Sequence, residues 1–184
     1  MSETGTGHLT ELLYDDGEND ASLVCAGHAG DVEPGTGELA LELAARVPSA
    51  TCWAALGYDD EREPFDVWHP PSTAIDPDDY PLLGEIADRG FETVVSLHGL
   101  ADDEVVVGGA TDDETKDRVA TMLADALSVP VRSVSEGPYA GVHPENFANW
   151  LAAEGGGLQV EMGQTAREDE SVAVCDVLAT VLRD

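Results

Sequence analysis

Four short apolar runs constrain this chain more than any other feature. They are Ser22 to Ala26 (SLVCA), Thr51 to Leu56 (TCWAAL), Glu92 to Leu97 (ETVVSL) and Leu158 to Met162 (LQVEM). Each has strand length and strand composition, and LQVEM alternates its faces. Shorter strands are expected at Glu104–Val107 and Val129–Val134. Helical spacing fills the gaps between them. Thr36 reads as the N-cap of a helix carrying Leu39, Leu43 and Val47, closed by Pro48. Asp79–Arg89 reads as a helix stopped by Gly90. Thr111, with Glu114 three residues on, caps a helix running to Leu127. Ser171–Leu182 reads as a terminal helix with Val174, Leu178 and Val181 on one face. Strands alternating with helices predict an α/β fold: a mixed, mostly parallel sheet with helices on both faces.

The chain has 184 residues, enough for one domain with a real core. Residues 1–20 are polar and acidic and read as a loosely ordered lead-in, with His8 to Tyr14 packing onto the body. Residues 21–184 read as a single domain. The acidic start is unlike a secretory signal, so a cytoplasmic protein is expected. No apolar run of about 18 residues or more is present to span a membrane. Cys25, Cys52 and Cys175 form neither a CxxC pair nor a disulfide framework, and read as small buried hydrophobes.

Acidic residues number 38 against eight basic ones, a net charge of −30. They are scattered rather than gathered into a tail, which fits a folded protein with an acidic surface. No basic stripe exists to displace counterions from a phosphate backbone, so nucleic acid is not an expected partner. The composition resembles that of proteins from salt-in halophilic archaea, where molar salt screens such repulsion.

Polar residues stand at the ends of three apolar runs, the edge at which open α/β sheets bind ligands. His28 and Glu33 follow SLVCA, His98 follows ETVVSL, and Glu161 lies within LQVEM beside Gln159. Each has a bland reading when taken alone: a hydrogen-bonded histidine, a helix N-terminal acid, a solvent-facing strand residue. Together, His28, Glu33 and His98 make the two-imidazole, one-carboxylate ligand set of a catalytic zinc with an open position. Glycine flanks both histidines and lets a metal and substrate approach the backbone. Glu161 is then the general base. His69, held extended before Pro70, is a rival ligand or a substrate-facing residue.

Longer motifs carry a resemblance. His28-Ala29-Gly30-Asp31-Val32-Glu33-Pro34-Gly35-Thr36-Gly37-Glu38-Leu39-Ala40 resembles the signature "HGGxIExGTsELA" of the poly-γ-glutamate hydrolase family, whose members are often labelled phage-related replication proteins. Ser96-Leu97-His98-Gly99 resembles its second histidine motif. Ala140-Gly141 through Asn146 and Asn149 resembles "aG…pxNixN". Gly157 to Met162 with Arg167 resembles "GvQlEl…lR". Trp68 to Thr73 is a looser match to "lHiTS". The resemblance implies a zinc carboxypeptidase-like fold and Zn2+ on His28, Glu33 and His98, with Glu161 as base. Arg167 would steady the oxyanion or brace the site, and Gln159 would lie near the substrate. His69 and Asn146 are further candidates for substrate contact. Ala29 replaces the family's second glycine, and two prolines precede Ser72-Thr73, departures that bear on the substrate more than on the metal.

The function expected is hydrolysis of an amide bond, γ-glutamyl or similar, in a small-molecule or polyanionic peptide-like substrate. Two alternatives stand beside it: an amidase for another N-acyl amino acid or peptide, and a non-catalytic binding module.

Overall fold

The computed structural model describes residues 2–4, 6–15, 21–154 and 156–183. Eight strands form one sheet: β1 (Ser2–Thr4), β2 (Gly7–Tyr14), β3 (Ser22–Gly30), β4 (Thr51–Asp59), β5 (Thr93–Gly99), β6 (Val105–Gly109), β7 (Val131–Ser133) and β8 (Leu158–Met162). Their spatial order is β1-β2-β4-β3-β5-β8-β6-β7. The four middle strands β4, β3, β5 and β8 are mutually parallel. β2 joins β4 antiparallel and β6 joins β8 antiparallel, so the expected mixed sheet is the observed one.

Period-two alternation sorts the central side chains onto two faces. Val24, Cys52, Val95, Leu97 and Val160 pack with Leu39, Leu43, Leu123 and Leu178. Those partners come from three long helices, α1 (Thr36–Arg46), α4 (Asp113–Ala126) and α6 (Ser171–Val181). Leu23, Cys25, Trp53 and Val94 point the other way, onto Leu83, Phe91, Phe147 and Leu151. That face is covered by loops and three short helices, α2 (Pro64–Trp68), α3 (Pro81–Gly84) and α5 (Phe147–Trp150). Each fully buried leucine or phenylalanine contributes about 1.5–3 kcal/mol by leaving water.

The order of these strands fixes where a ligand can sit. From β3 the chain crosses to β4 on one side, then passes back over β3 to β5 on the other. The connections therefore diverge between the C-terminal ends of β3 and β5, which opens a crevice there.

Several local expectations change. The packing expected of His8 to Tyr14 is a full strand pairing: Gly7–Tyr14 runs along β4 from Gly7↔Asp59 to Tyr14↔Cys52. The ladder supplies backbone partners that acidic composition cannot reveal. Residues 1, 5 and 16–20 of that lead-in lie outside the described residues. Thr36 is the first helical residue of α1 and not its cap; Gly35, at φ 89°, takes the preceding position. The Thr36 hydroxyl instead donates to the Glu33 carbonyl at 2.8 Å. Asp112, one residue after the expected Thr111, caps α4 by accepting from Thr115 N at 2.9 Å. The helix expected over Asp79–Arg89 is reduced to α3. Tyr80, Leu83 and Ile86 are its buried residues, a spacing of three that suits turns of the 3₁₀ kind. Ile86 N and Arg89 N accordingly bond to the carbonyls three residues back.

Candidate functional site

β3 runs past its expected end to Gly30, and His28 lies within it rather than in a turn beyond it. Its pairing with β4 slips between Ala26↔Ala54 and Ala29↔Leu56, so one extra residue bulges from β3. Ala26 and Ala29 consequently both join the core beneath α1, although strict alternation would separate them. Bulges of this kind re-aim a side chain beside an active site, and His28 occupies the bulge. Glu33 follows in a tight turn closed by Glu33 N donating to the His28 carbonyl at 2.9 Å.

Alternation places Ser96 and His98 on one face of β5, and Gln159 and Glu161 on the same face of β8. Parallel register then sets Ser96 opposite Gln159 and His98 opposite Glu161. The topology thus brings His28, Glu33, His98 and Glu161 to one place from three separate parts of the chain.

The two buried imidazoles aim Nδ1 at each other, 3.3 Å apart. His28 Nδ1 lies 3.6 Å from Glu33 Oε1, and His98 Nδ1 lies 3.6 Å from Glu33 Oε2. Their outer nitrogens are anchored. His28 Nε2–H donates to the Pro70 carbonyl at 2.8 Å, which leaves Nδ1 of the neutral ring with a free lone pair. His98 Nε2 meets the Ser96 hydroxyl at 2.8 Å. Imidazoles fixed through one nitrogen with the other converging are the usual form of metal ligands.

These residues fit a metal ion. Glu33 Oε2 is buried with no hydrogen-bond partner among the described residues, an acceptor left wanting a positive charge. Two nitrogens bound to one tetrahedral zinc lie about 3.3 Å apart, the separation found between the two Nδ1 atoms. His69 also converges: its Nε2 is 3.1 Å from Glu33 Oε1, and His28, Glu33 and His69 offer ligand atoms within 4.8 Å of one another. His69 is half-buried and stacks on Phe65 at 4.0 Å, whereas His98 is buried and braced by Ser96. The more rigid set is His28, Glu33 and His98, with His69 against the other carboxylate oxygen.

Electrostatics follow from this crowding. Burial alone would raise the Glu33 pKa, but the imidazoles of His28, His69 and His98 gathered around it reverse that and hold the carboxyl well below its ordinary range. Burial pushes the His28 pKa down. Burial also works against a charged His98, yet Glu33 and then Glu161 outweigh it and the net direction is upward. Burial raises the Glu161 pKa, and repulsion from Glu33 adds to it. A buried carboxyl with a raised pKa beside a metal-ligand cluster is suited to acid–base work.

A cleft of about 330 Å³ opens over the cluster, lined by His28, Glu33, His69, His98 and Glu161 with Phe65, Ser72 and Tyr139. The other residues expected at the substrate lie behind it. Asn146 and Gln159 are buried and line no part of this cleft; their amides bond to each other at 3.0 Å. Gln159 in turn donates to Glu161 Oε1 at 2.8 Å. Arg167 also stands off the lining, packed beside Gly99 with Nη1 donating to the Pro34 carbonyl at 2.7 Å. Four contributors were missed. Ser96 was readable as the residue two before His98 on one strand face. The Pro70 carbonyl, Phe65 and Tyr139 carry no sequence signal of this role. Of the remaining histidines, His8 stacks on Tyr58 and His143 is exposed.

Comparisons with known proteins agree with this fold. The family model for poly-gamma-glutamate hydrolase matches residues 6–170. A bacteriophage poly-gamma-glutamate hydrolase structure superposes with a TM-score of 0.77 at 18% identity, covering 97% of this chain and 89% of its own. The zinc-free apo form of YNDL gives 0.77 at 26% identity, covering 96% and 90%. A metallo-carboxypeptidase from Burkholderia cenocepacia gives 0.58 at 11% identity, covering 95% of this chain and 60% of its own. Among curated protein sequences nothing matches. The matched family, the bacteriophage enzyme and the metallo-carboxypeptidase are hydrolases, and with the family model spanning most of the sequence, the chain belongs to the poly-gamma-glutamate hydrolase family.

Proposed function

We propose that this protein is a zinc-dependent amidase that cleaves a γ-glutamyl or closely related amide bond. The observation that carries the reading is the convergence of two anchored Nδ1 atoms on Glu33, whose buried Oε2 has no hydrogen-bond partner among the described residues. His28, Glu33 and His98 would hold the ion. When bound, zinc supplies Lewis acidity, which polarises a carbonyl and acidifies water.

The chain's own groups complete the reaction. Glu161, opposite His98 and facing the cleft, accepts a proton from the attacking water. The water oxygen bonds to the carbonyl carbon, the C–N bond breaks, and Glu161 returns the proton to the leaving amine. His69 and Phe65 form one wall of the cleft, and Tyr139 stands on its lining. Arg167, on the Pro34 carbonyl and against Gly99, ties the turn bearing Glu33 to the end of β5. That supports bracing as its part in the site.

Metal analysis with an amine-release assay on γ-linked glutamate oligomers tests this reading. About one zinc per chain is expected, with turnover abolished by chelation and restored by zinc. His98→Ala should weaken zinc binding at least about 10-fold. A zinc-loaded protein that cleaves no amide overturns the reading.

One observation favours a second substrate class. Among the described residues no lysine or arginine lines the cleft. Arg46, Arg62, Arg89, Lys116 and Arg132 are each paired with acidic residues elsewhere. A small, less anionic N-acyl amino acid or peptide would suit such a lining. Salt separates the two: for a γ-glutamate polyanion approaching an acidic surface, KM should fall as salt is raised, while for a neutral amide it should stay flat.

A further inference from the structure

Three buried side chains, Asn146 and Gln159 behind the cleft and Glu161 on its lining, form one directed hydrogen-bond chain. Its direction is set by a group that has no choice. The backbone N–H of Ala148, in the first turn of α5, can only donate, and it donates to Asn146 Oδ1 at 3.1 Å. Asn146 must therefore present Nδ2 on its other side, and that group donates to Gln159 Oε1 at 3.0 Å. Gln159 must then present Nε2, which donates to Glu161 Oε1 at 2.8 Å. A second acceptor, the Gly141 carbonyl, lies 3.4 Å from Asn146 Nδ2 and enforces the same orientation. All three side chains are buried, at 4%, 5% and 8% exposure, so water cannot readily replace a lost link.

We propose that Asn146 and Gln159 are positioning residues for the general base, a relay that occupies Glu161 Oε1 as an acceptor and leaves Oε2 to take and return the proton. The inference rests on the amidase reading with Glu161 as base. It assigns the two amides a function other than substrate contact. The carboxylate is held in one plane, and the oxygen that works is chosen by a backbone N–H three links away. An amide reversed anywhere in the chain would set oxygen against oxygen, so the relay is fixed by chemistry as well as by packing.

The test uses the zinc-loaded protein with Gln159→Leu, Asn146→Ser and the double variant. Serine still accepts from Ala148 N as an N-cap, so a merely structural role for Asn146 leaves kcat at its wild-type value. The relay instead lowers kcat about 10- to 100-fold in Gln159→Leu, with KM and zinc affinity unchanged. Asn146→Ser lowers it by a smaller factor, and the double variant is no worse than Gln159→Leu, because both changes break one chain. A readout independent of turnover comes from the metal-free protein. The Gln159 side-chain amide protons exchange slowly in the wild type, and Asn146→Ser speeds that exchange.

If leucine at 159 unfolds the protein, the serine variant carries the test by itself. Wild-type kcat in Asn146→Ser, or losses that simply add, overturns the relay. Glu161→Gln serves as the control that keeps the two ideas apart. If Glu161→Gln is inactive while the relay variants turn over normally, the relay alone is wrong. If Glu161→Gln is fully active, the base assignment fails and the relay with it.

Discussion

A carboxylate that must take a proton and give it back needs a raised affinity for that proton and a fixed orientation. Glu161 has both: burial and the nearby Glu33 charge raise its pKa, and Gln159 holds Oε1. Glu161→Gln keeps the shape and removes the proposed base. We expect kcat to fall about 10²- to 10⁴-fold with zinc content unchanged, read by steady-state kinetics beside metal analysis. The proposed ligands differ in kind, because they would act by convergence. Losing Ser96 frees the His98 ring, so Ser96→Ala should weaken zinc binding by about 10-fold in a competition titration, without loss of fold. Unchanged affinity would mean that packing alone orients His98. At this scale much was visible in the sequence. His28, Glu33, His98 and Glu161 each stand at or near the end of an apolar run. What they face was not visible: Asn146 and Gln159 read as substrate contacts, and only the fold shows them bonded to each other and to Glu161.

Individual elements show how local rules bend to tertiary demands. α4 obeys them: Asp112 caps it, and Val119, Ala120 and Leu123 bury one face. Asp112→Ala should cost about 1 kcal/mol, measured by denaturant unfolding. The segment at 137–141 obeys a neighbour instead. Tyr139 sits at φ 68°, unusual for a side-chain-bearing residue, and Gly109 N holds the next carbonyl, that of Ala140, at 2.7 Å. A Cβ at Gly108 would overlap the Tyr139 and Ala140 carbonyl oxygens. Gly108→Ala should therefore destabilise the protein by about 1–3 kcal/mol and displace Tyr139 from the cleft lining. A wild-type melting curve together with an unchanged tyrosine environment in near-ultraviolet spectra would refute that. The helix expected over 79–89 gives way to short turns, and a distant strand fixes where they begin: Glu11 of β2 accepts from Leu82 N and Leu83 N, donors that the first turn of any helix leaves unpaired.

Over the whole molecule the net charge of −30 is the dominant long-range term. Like charges spread over one surface repel, and salt shortens the reach of that repulsion from about 10 Å at 0.1 M to about 3 Å at 1 M. The melting temperature should rise by at least about 5 °C between those concentrations, equivalent to about 2 kcal/mol for a chain of this size. A flat or falling profile in potassium chloride would show that the surface charge does not govern stability. Among the described residues no helix is long and apolar enough to cross a membrane. The chain by itself determined its class and its donors: the periods of its apolar runs encode strands and helices, and the motif residues encode the chemistry. Only the tertiary structure decided the assembly. Strand order opened the crevice between β3 and β5, a one-residue bulge aimed His28, and parallel register set Glu161 opposite His98. Those are relations between segments far apart in sequence, and they form only when burying both faces of the sheet leaves one arrangement that satisfies every backbone partner.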